Sequence, residues 1–516
     1  MEWSWAFYYF SCSYLVGEKL FEAALDAILF FMVTSPLVGW IGQKIRIERI
    51  RDGYAILGFA IAAYFLLDLY ARVQKSGVVV TKYLSFNPPF GACLEVDMFS
   101  VFMAFVFVML SIFVSAYSVR YMERDANLVE YYTLFLGMVA GMLGVVFAGD
   151  FFTFFVFWEL MCVSSYVLVA FRKERWGPIE AAFKFLIMST FGSVTILFAM
   201  SLLYGMAGTL NFAYLARSIA TRVPNSWLYL VLAMVIVGFG IKAAIVPFHT
   251  WLPDAHPEAP SSVSALLSGI LITCGVYGLS RVLLLIFNFT MFHWGTAIMV
   301  LSVITMTVGN LMALLQNDLK RLLAYSSIAH IGYILTGLAL GTEIGLTGAF
   351  LHIFNHALMK GLAFLCAGAF IYRTEIRDLN DLAGIGRRMP ISAFTLCIAL
   401  LALLGFPSLN GFVSKFILIL AAISSYAYLL GIIIILNSAL SAAYYLRIIQ
   451  KLMVTQPTEK ILHAKEVPSA MLIPMCGMAF LILLFGIWPG PLIALANNAA
   501  VAALDIQGYV NAIIGG

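Results

Sequence analysis

Three basic side chains recur at helical spacing within a strongly apolar stretch of the chain. His352, His356 and Lys360 are each separated by four residues, so one face of a helix would carry all three. Histidine titrates near neutral pH, which suits it to proton transfer. A single buried histidine is usually a hydrogen-bonded core residue, but His330 in the preceding apolar run brings a third histidine to neighbouring segments. The pattern predicts a proton relay.

Five cationic side chains lie inside long apolar runs, where a charge at the bilayer centre costs about 2.5–3.5 kcal/mol. They are Lys184, Lys242, Arg281, Lys360 and Lys415. Glu159, in FFTFFVFWELMCVSSYVLVAF, is a carboxylate in the same situation. Ionisable groups at such positions indicate an ion pathway, a charge pair or a lock between helices.

Glu159 and Lys242 are candidates for an acid–base pair across neighbouring helices. Burial opposes the charged form of each group while their mutual attraction favours it, so the charge of a neighbour would decide whether the pair gains or loses a proton. A static ion pair that locks two helices is the alternative. Lys184 follows Glu180 by four residues, which is a helical salt-bridge spacing, and it could also snorkel to the inner face. Arg281 rarely loses its proton and is expected to be structural.

Composition places the chain among polytopic membrane proteins. Of its 516 residues, 63% are hydrophobic and only 11% are charged, too few to cover a soluble protein of this size. The net charge of +4 is small, so nucleic acid is not an expected partner.

The seven cysteines show no CxxC spacing, and nothing resembles a haem or iron–sulfur ligand set. A histidine metal site is disfavoured because no carboxylate or cysteine is spaced with the histidines. We expect no cofactor and no metal.

The hydrophobic segments predict an all-α polytopic membrane protein with about 14 transmembrane helices, since each span needs about 20 apolar residues. The predicted spans are 21–41, 53–72, 96–119, 131–149, 150–171, 178–206, 226–247, 261–288, 293–315, 322–341, 344–372, 389–405, 409–446 and 470–488. The 409–446 stretch is too long for one helix, so its first part joins the twelfth span and the thirteenth starts near Tyr426. The last apolar segment, 490–514, is expected to lie on the membrane or to pack against the spans.

The distribution of basic residues predicts the orientation. With the N-terminus outside, the inner loops hold 19 of the 30 Lys and Arg, the outer segments hold six, and five are intramembrane. Basic residues concentrate in cytoplasmic loops, so we expect both termini on the outer side. The first apolar run has no basic segment and no small-residue cleavage site before it, so no removable signal peptide is expected.

Two of the predicted spans are broken. The seventh runs into Pro247 and the loop HTWLPDAHPEAP, and the twelfth is interrupted by GFPSLNG at 405–411. A broken helix near a buried lysine is the usual architecture of an ion site, and paired breaks indicate structural repeats. Lys242 lies five residues before Pro247, and Lys415 lies eight after Pro407. The expected units are 1–130 with spans one to three, 131–288 as a first five-helix repeat (spans 4–8), 293–446 as a second repeat (spans 9–13), and 447–516 with the last span and the apolar tail.

Four segments resemble the antiporter-like subunit family. They are FVFWELM at 155–161, GIKAAIVPFHTWLPDAHPEAPSSVSALLSG at 240–269, DLKRLLAYSSIAHIGY at 318–333 and LHIFNHALMKGLAFL at 351–365. The family comprises the proton-pumping subunits of respiratory complex I, the large subunits of Mrp-type sodium/proton antiporters, and the corresponding subunits of membrane-bound hydrogenases. The resemblance covers roughly residues 95–455. It implies fourteen spans, two inverted five-helix repeats, and two half-channels joined by a central hydrophilic axis.

The resemblance also implies roles for individual residues. Glu159 matches the glutamate of the first repeat, and Lys242 matches the lysine on its broken helix. His330, His356 and Lys360 match relay positions, with His352 a further candidate beside them, and Lys415 in GFVSK matches the charged residue on the second broken helix. The chain departs from the pattern in span eight. Many members carry a lysine or histidine there, but SGILITCGVYG offers Thr273, which cannot hold a charge.

These features predict an ion-translocating subunit of a larger membrane complex of the complex I, hydrogenase or Mrp type. It would move protons, with sodium exchange left open, without a redox site of its own. Its expected partners are other membrane subunits, homologous antiporter-like subunits, a peripheral redox arm and the lipid bilayer, in a cell membrane or an energy-transducing inner membrane. The alternatives are a stand-alone secondary transporter and a non-pumping scaffold. The uncharged Thr273 gives the scaffold alternative some support.

Overall fold

Most of the residues that the structure describes are helical. The computed structural model describes residues 23–44, 49–82 and 92–515. In these ranges, twelve helices are long and apolar enough to cross a membrane, so the expectation of an all-α polytopic membrane protein is confirmed. The beginning of the first predicted span, Cys12 and the segment assessed for a signal peptide lie outside the described residues.

In the residues that the structure describes before Leu128, there are three long helices and two antiparallel strands. They are α1 (Ala23–Lys44), α2 (Ile50–Ser76), β1 (Val79–Lys82), β2 (Cys93–Val96) and α3 (Met98–Tyr121). The two strands pair antiparallel, with Val79 opposite Val96. Asp97 begins α3 as its N-cap, because its side chain accepts a hydrogen bond from the backbone N–H of Ser100.

The region predicted as the first repeat contains both long and short helices. They are α4 (Leu128–Phe147), α5 (Phe151–Val169), α6 (Trp176–Ala207), α7 (Phe212–Ala220), α8 (Ser226–Lys242), α9 (Leu252–Glu258), α10 (Ser261–Leu266) and α11 (Ile272–Ile286). A single π-helical turn, Leu267–Leu271, joins α10 to α11. The result is one continuous helical rod from Ser261 to Ile286.

The region predicted as the second repeat also contains both long and short helices. Its helices are α12 (Phe289–Phe292), α13 (Trp294–Leu314), α14 (Leu319–Leu340), α15 (Glu343–Thr374), α16 (Pro390–Leu404), α17 (Asn410–Ser424) and α18 (Tyr428–Ile449), which a π-helical turn extends over Gln450–Val454. Short 3-10 turns lie at Ile385–Arg387 and Glu459–Ile461. The apolar spans of α14 and α15 are entirely buried, as is the rod from Ser261 to Ile286, so these helices form the interior of the protein.

Both predicted breaks are present, with one shift in position. The helix of the seventh span ends at Lys242 rather than at Pro247, and Ala244 then adopts a positive φ of 54°. Trp251 Nε1 donates to Ile241 O at 2.8 Å, which satisfies a carbonyl freed by the break. In the twelfth span, α16 ends at Leu404 and α17 begins at Asn410.

The C-terminal segment packs against the other helices. It contains α19 (Ser469–Ile487), α20 (Gly490–Leu504) and α21 (Ile506–Ile514). Tyr509 donates a 2.5 Å hydrogen bond to Glu95, so α21 docks beside the β-hairpin. Burial raises the pKa of Glu95 to about 7, although the hydrogen bonds from Tyr509, Cys93 and Asn211 oppose this shift. Of the two placements considered for 490–514, packing against the protein is the one observed.

Candidate functional site

A cluster of basic and hydroxyl side chains lies where α14 and α15 pass through the interior. Lys360 on α15 is fully buried. Its ammonium donates to Ser326 Oγ, to Leu323 O at 3.1 Å and to Tyr445 OH at 3.5 Å. In the described part of the chain it forms no ion pair with a carboxylate. This cation is therefore held only by neutral oxygens.

From Lys360, a chain of hydrogen bonds continues towards the second broken helix. The hydroxyl of Tyr445 lies 3.3 Å from His330 Nε2, and His330 Nδ1 lies 3.0 Å from His352 Nε2. His352 Nδ1 lies 2.8 Å from the hydroxyl of Ser414. Imidazole and hydroxyl groups can both donate and accept. These contacts therefore form an uninterrupted path from Lys360 to Ser414, the residue before Lys415.

His356 lies beside this path and not in it. Its ring centre is 5.7 Å from that of His330, and in the described protein neither of its ring nitrogens has a hydrogen-bond partner. The residue is fully buried. Buried polar atoms of this kind need an explanation such as a bound water or a role in transfer. His352, the lesser candidate from the sequence, occupies the bridging position instead.

Lys415 is anchored at the break between α16 and α17. Its ammonium donates to Leu403 O at 2.8 Å, Leu404 O at 3.0 Å and Ser438 Oγ at 2.8 Å. The two carbonyls belong to the C-terminal end of α16, which carries a partial negative charge. The ammonium also lies 4.9 Å from the ring centre of Tyr333. The break thus supplies acceptors for a cation that has no carboxylate partner among the described residues.

Sequence reasoning missed the hydroxyl groups that connect the cations. Tyr445, Ser326 and Ser414 are fully buried, and each contacts a histidine or a lysine of the cluster. A signal was present, because Ser438, Ser441 and Tyr445 recur at helical spacing on α18. Hydroxyl residues in apolar helices are common, however, so this spacing alone did not distinguish them.

If this cluster carries protons, as the sequence predicts, replacing Tyr445 by phenylalanine should slow their transport roughly two- to tenfold, the range expected for one hydrogen bond. The ring would still fill its buried site, but the link between Lys360 and His330 would be lost. Transport into vesicles that contain the purified complex would measure the change. Tyr444→Phe is the matched control, because the hydroxyl of Tyr444 donates to Asn310 Oδ1 and contacts neither a lysine nor a histidine of the cluster. Equal rates for the two variants would contradict a role for Tyr445.

The region of the first repeat contains a second buried lysine. Lys242, at the end of α8, has an exposure of 1%. Its ammonium donates to Cys162 Sγ at 3.1 Å and, more weakly, to Ser189 Oγ at 3.5 Å. It also lies 4.8 Å from the ring centre of Phe185, where a cation–π interaction stabilises the charge. As at Lys360 and Lys415, no carboxylate pairs with it in the described chain.

Glu159 does not form the expected direct pair with Lys242. It lies on α5 three residues before Cys162, which does contact Lys242. Glu159 is partly exposed, on a helix face where Val156 and Val163 are also exposed, and its Oε1 atom has no hydrogen-bond partner among the described residues. Among the described residues, Cys162 and not Glu159 is therefore the α5 side chain that contacts the Lys242 ammonium.

Two of the other cations form salt bridges. Lys184, with about half of its side chain exposed, pairs with Glu180 at 2.8 Å and with Asp254 at 3.1 Å, which confirms the helical spacing seen in the sequence. Arg281 is buried and pairs with Asp97 through two hydrogen bonds of 2.6 and 2.7 Å. This bidentate pair joins α11 to the start of α3, as expected for a structural role.

Thr273 lies on the buried rod between the two lysine sites. Its hydroxyl donates to Ile270 O at 2.9 Å and to Gly269 O at 3.4 Å, which are carbonyls of its own helix. Its polar atom therefore points back along the helix and contacts neither lysine.

Across the described residues, no cluster of three or more His, Cys, Asp or Glu could hold a metal ion.

The sequence matches the models of a known family of membrane proteins. Residues 148–441 match the family model described as NADH:quinone oxidoreductase/Mrp antiporter, transmembrane region, and residues 85–132 match that of the complex I chain 5 N-terminus. The chain belongs to this antiporter-like subunit family, which confirms the resemblance stated above.

Individual relatives come from several complexes. The chain is 32% identical to F(420)H(2) dehydrogenase subunit N of Methanosarcina mazei, over 86% of this chain and 92% of that protein. It is 34% identical to NADH-quinone oxidoreductase subunit N 2 of Solibacter usitatus, over 80% and 84%. In the structure of the Mrp complex from Dietzia sp. DQ12-45-1b, one chain superposes with a TM-score of 0.88 at 25% identity, covering 96% of this chain and all of that one.

Proposed function

We propose that this chain is a proton-translocating subunit of a multi-subunit membrane complex of the complex I or Mrp type. The supporting observation is the uninterrupted hydrogen-bond path from Lys360 through Tyr445, His330 and His352 to Ser414, beside Lys415. A structural core needs no such path, since buried polar groups are costly in a membrane interior. The named relatives are subunits of such complexes.

The mechanism is electrostatic. A change of charge at Glu159, which is partly exposed on α5, alters by its electrostatic field the stability of the Lys242 cation, whose ammonium bonds Cys162 one helical turn further along α5. That change shifts the proton affinity of Lys360 and the histidines, and finally that of Lys415. A charge moved against 100 mV requires about 2.3 kcal/mol. Because no redox or nucleotide site is predicted in this chain, partner subunits or an ion gradient drive the step.

The arrangement in the membrane is part of the proposal. The basic-residue bias places both termini on the outer side of a cell membrane or an energy-transducing inner membrane. The breaks at Lys242 and at 405–409 support two repeats, over 131–288 and 293–446, which follow the N-terminal unit 1–130 and precede the C-terminal unit 447–516. Homologous membrane subunits and a peripheral arm are the proposed partners, and lipid covers the exposed apolar faces.

Replacing Lys360 by methionine should reduce proton transport by at least about a hundredfold, the lower range for a positioned acid or base. Methionine fills a similar volume but cannot hold a proton. The complex, purified through a tag on this chain, is reconstituted into vesicles, and proton uptake is followed with an internal pH dye after a potential is imposed.

Lys184→Met is the matched control, because this lysine is half exposed and bound to carboxylates. Unchanged uptake by the Lys360 variant would contradict the proposal and favour a scaffold, as would unchanged uptake after Glu159→Gln. Uptake by this chain reconstituted alone would favour a stand-alone transporter. Repeating the assay with and without sodium distinguishes proton transport from sodium/proton exchange.

A further inference from the structure

The two lysine sites are separated by a helix that lacks the expected charge. Thr273 directs its hydroxyl to Ile270 O of its own helix and contacts neither Lys242 nor Lys360. A proton that passes between the two halves therefore needs another group. The rod from Ser261 to Ile286 is the candidate element for this group, because its apolar span is entirely buried.

This rod reaches both lysine sites. A Cβ atom at Gly275 would lie 2.8 Å from the backbone nitrogen of Ala243, so the rod packs directly on the break that follows Lys242. Seven residues earlier, the hydroxyl of Ser268 lies 2.7 Å from that of Ser327 on α14. A helix rises 1.5 Å per residue, so the two contacts are about 10 Å apart.

The geometry of the rod is irregular at Ser268. This residue belongs to the π-helical turn Leu267–Leu271, and such turns are frequent at functional sites. Both Ser268 and Ser327 are fully buried. Two hydroxyls that face each other across a helix boundary can each donate and accept.

Ser327 belongs to the polar shell of Lys360. Its hydroxyl donates to Leu323 O at 2.9 Å, and the hydroxyl of Ser326 donates to the same oxygen at 2.9 Å. Lys360 Nζ donates to that oxygen at 3.1 Å and also bonds Ser326 Oγ. The hydroxyl of Ser327 and the ammonium of Lys360 thus donate to the same carbonyl oxygen.

We propose that the Ser268–Ser327 hydroxyl pair is the crossing point for protons between the Lys242 half and the Lys360 half. At each serine, the oxygen accepts a proton as its own proton leaves to the next acceptor, so the side chain is unchanged after the transfer. Water spans the remaining distance towards Lys242. The pair takes the place of the charge that Thr273 cannot hold, and the inference rests on the proposed function.

The test compares variants of the whole complex in vesicles. Ser268→Ala and Ser327→Ala should each lower proton uptake roughly two- to tenfold, the range for one hydrogen bond. The double variant should lose no more than either single variant, since both substitutions interrupt the same step. Ser268→Thr keeps a hydroxyl and should recover most of the uptake. Co-purification of the partner subunits verifies that each variant assembles.

Ser264→Ala is the matched control. Ser264 lies on the same rod and is fully buried, but its hydroxyl bonds only to the backbone carbonyls of His256 and Pro260. Unchanged uptake in both alanine variants would overturn the crossing point, as would additive losses in the double variant or an equal loss in the control. If Lys360→Met nevertheless remains inactive, the proposed function stands and only this inference fails. Normal uptake by Lys360→Met would reject the function itself.

Discussion

Replacing Lys415 by alanine should abolish proton transport while the subunit still assembles with its partners. This ammonium is bound by three neutral oxygens at the helix break, those of Leu403, Leu404 and Ser438. In the described chain, no other lysine lies near Ser414, where the path from Lys360 ends. Without Lys415, no group at this end of the path could bind the proton and release it again. Uptake should fall by about a hundredfold or more, as for loss of a positioned proton carrier.

A second variant separates proton exchange from fixed charge. Lys415→Arg keeps a cation at the break, but arginine does not release its proton under physiological conditions. We therefore expect Lys415→Arg to assemble and to remain inactive. Normal uptake in Lys415→Ala would rule out a role in transport. Recovery of uptake in Lys415→Arg would show that the positive charge, and not proton release, is what the site needs.

Replacing Arg281 by glutamine should destabilise the protein by about 3–5 kcal/mol, the range measured when one partner of a buried ion pair is removed. Asp97 would be left buried and charged, without the two hydrogen bonds that Arg281 now donates. Because Asp97 also caps α3, the loss would loosen the contact between α3 and α11. Thermal unfolding of the purified complex, monitored together with subunit retention, would measure this effect.

The double variant Arg281→Gln with Asp97→Asn should recover much of the lost stability. Asparagine caps a helix as well as aspartate does, and neither side chain of the substituted pair carries a charge. Arg321→Gln is the control, since its pair with Asp254 is partly exposed and such pairs contribute about 0–1 kcal/mol. Equal losses for Arg281→Gln and Arg321→Gln would contradict the structural role of the buried pair.

The elements of the fold could be predicted because their signals are local. A run of apolar residues long enough to cross a bilayer is visible without knowledge of its neighbours, and the described helices follow those runs closely. The glycine and proline residues of GFPSLNG, at 405–411, likewise predicted the helix break before Lys415. The predicted end of α8 lay five residues beyond its actual end at Lys242. The helix stops just before Ala244, whose φ is positive, and an alanine in the sequence does not indicate such a conformation.

The contacts of the site could not be predicted to the same degree. The direct Glu159–Lys242 pair suggested by the sequence is not formed, because Glu159 lies on a partly exposed face of α5 and Cys162 takes the position facing the lysine. Tyr445 approaches His330 from 115 residues away. Between membrane helices, packing and hydrogen bonds select the neighbours, since lipid removes the hydrophobic preference that would otherwise indicate a buried face.

The sequence by itself determined which charges this protein carries into the membrane and which helices are interrupted beside them. Lys242, Lys360 and Lys415 stand out because a charge in an apolar run is costly wherever the helix packs. Only the tertiary structure decided what each charge meets, as in the hydroxyl path to Ser414 and the pairing of Arg281 with Asp97. The physical reason is that desolvation depends on the local run of residues, whereas a hydrogen bond needs two groups within about 3 Å, often from helices distant in the chain.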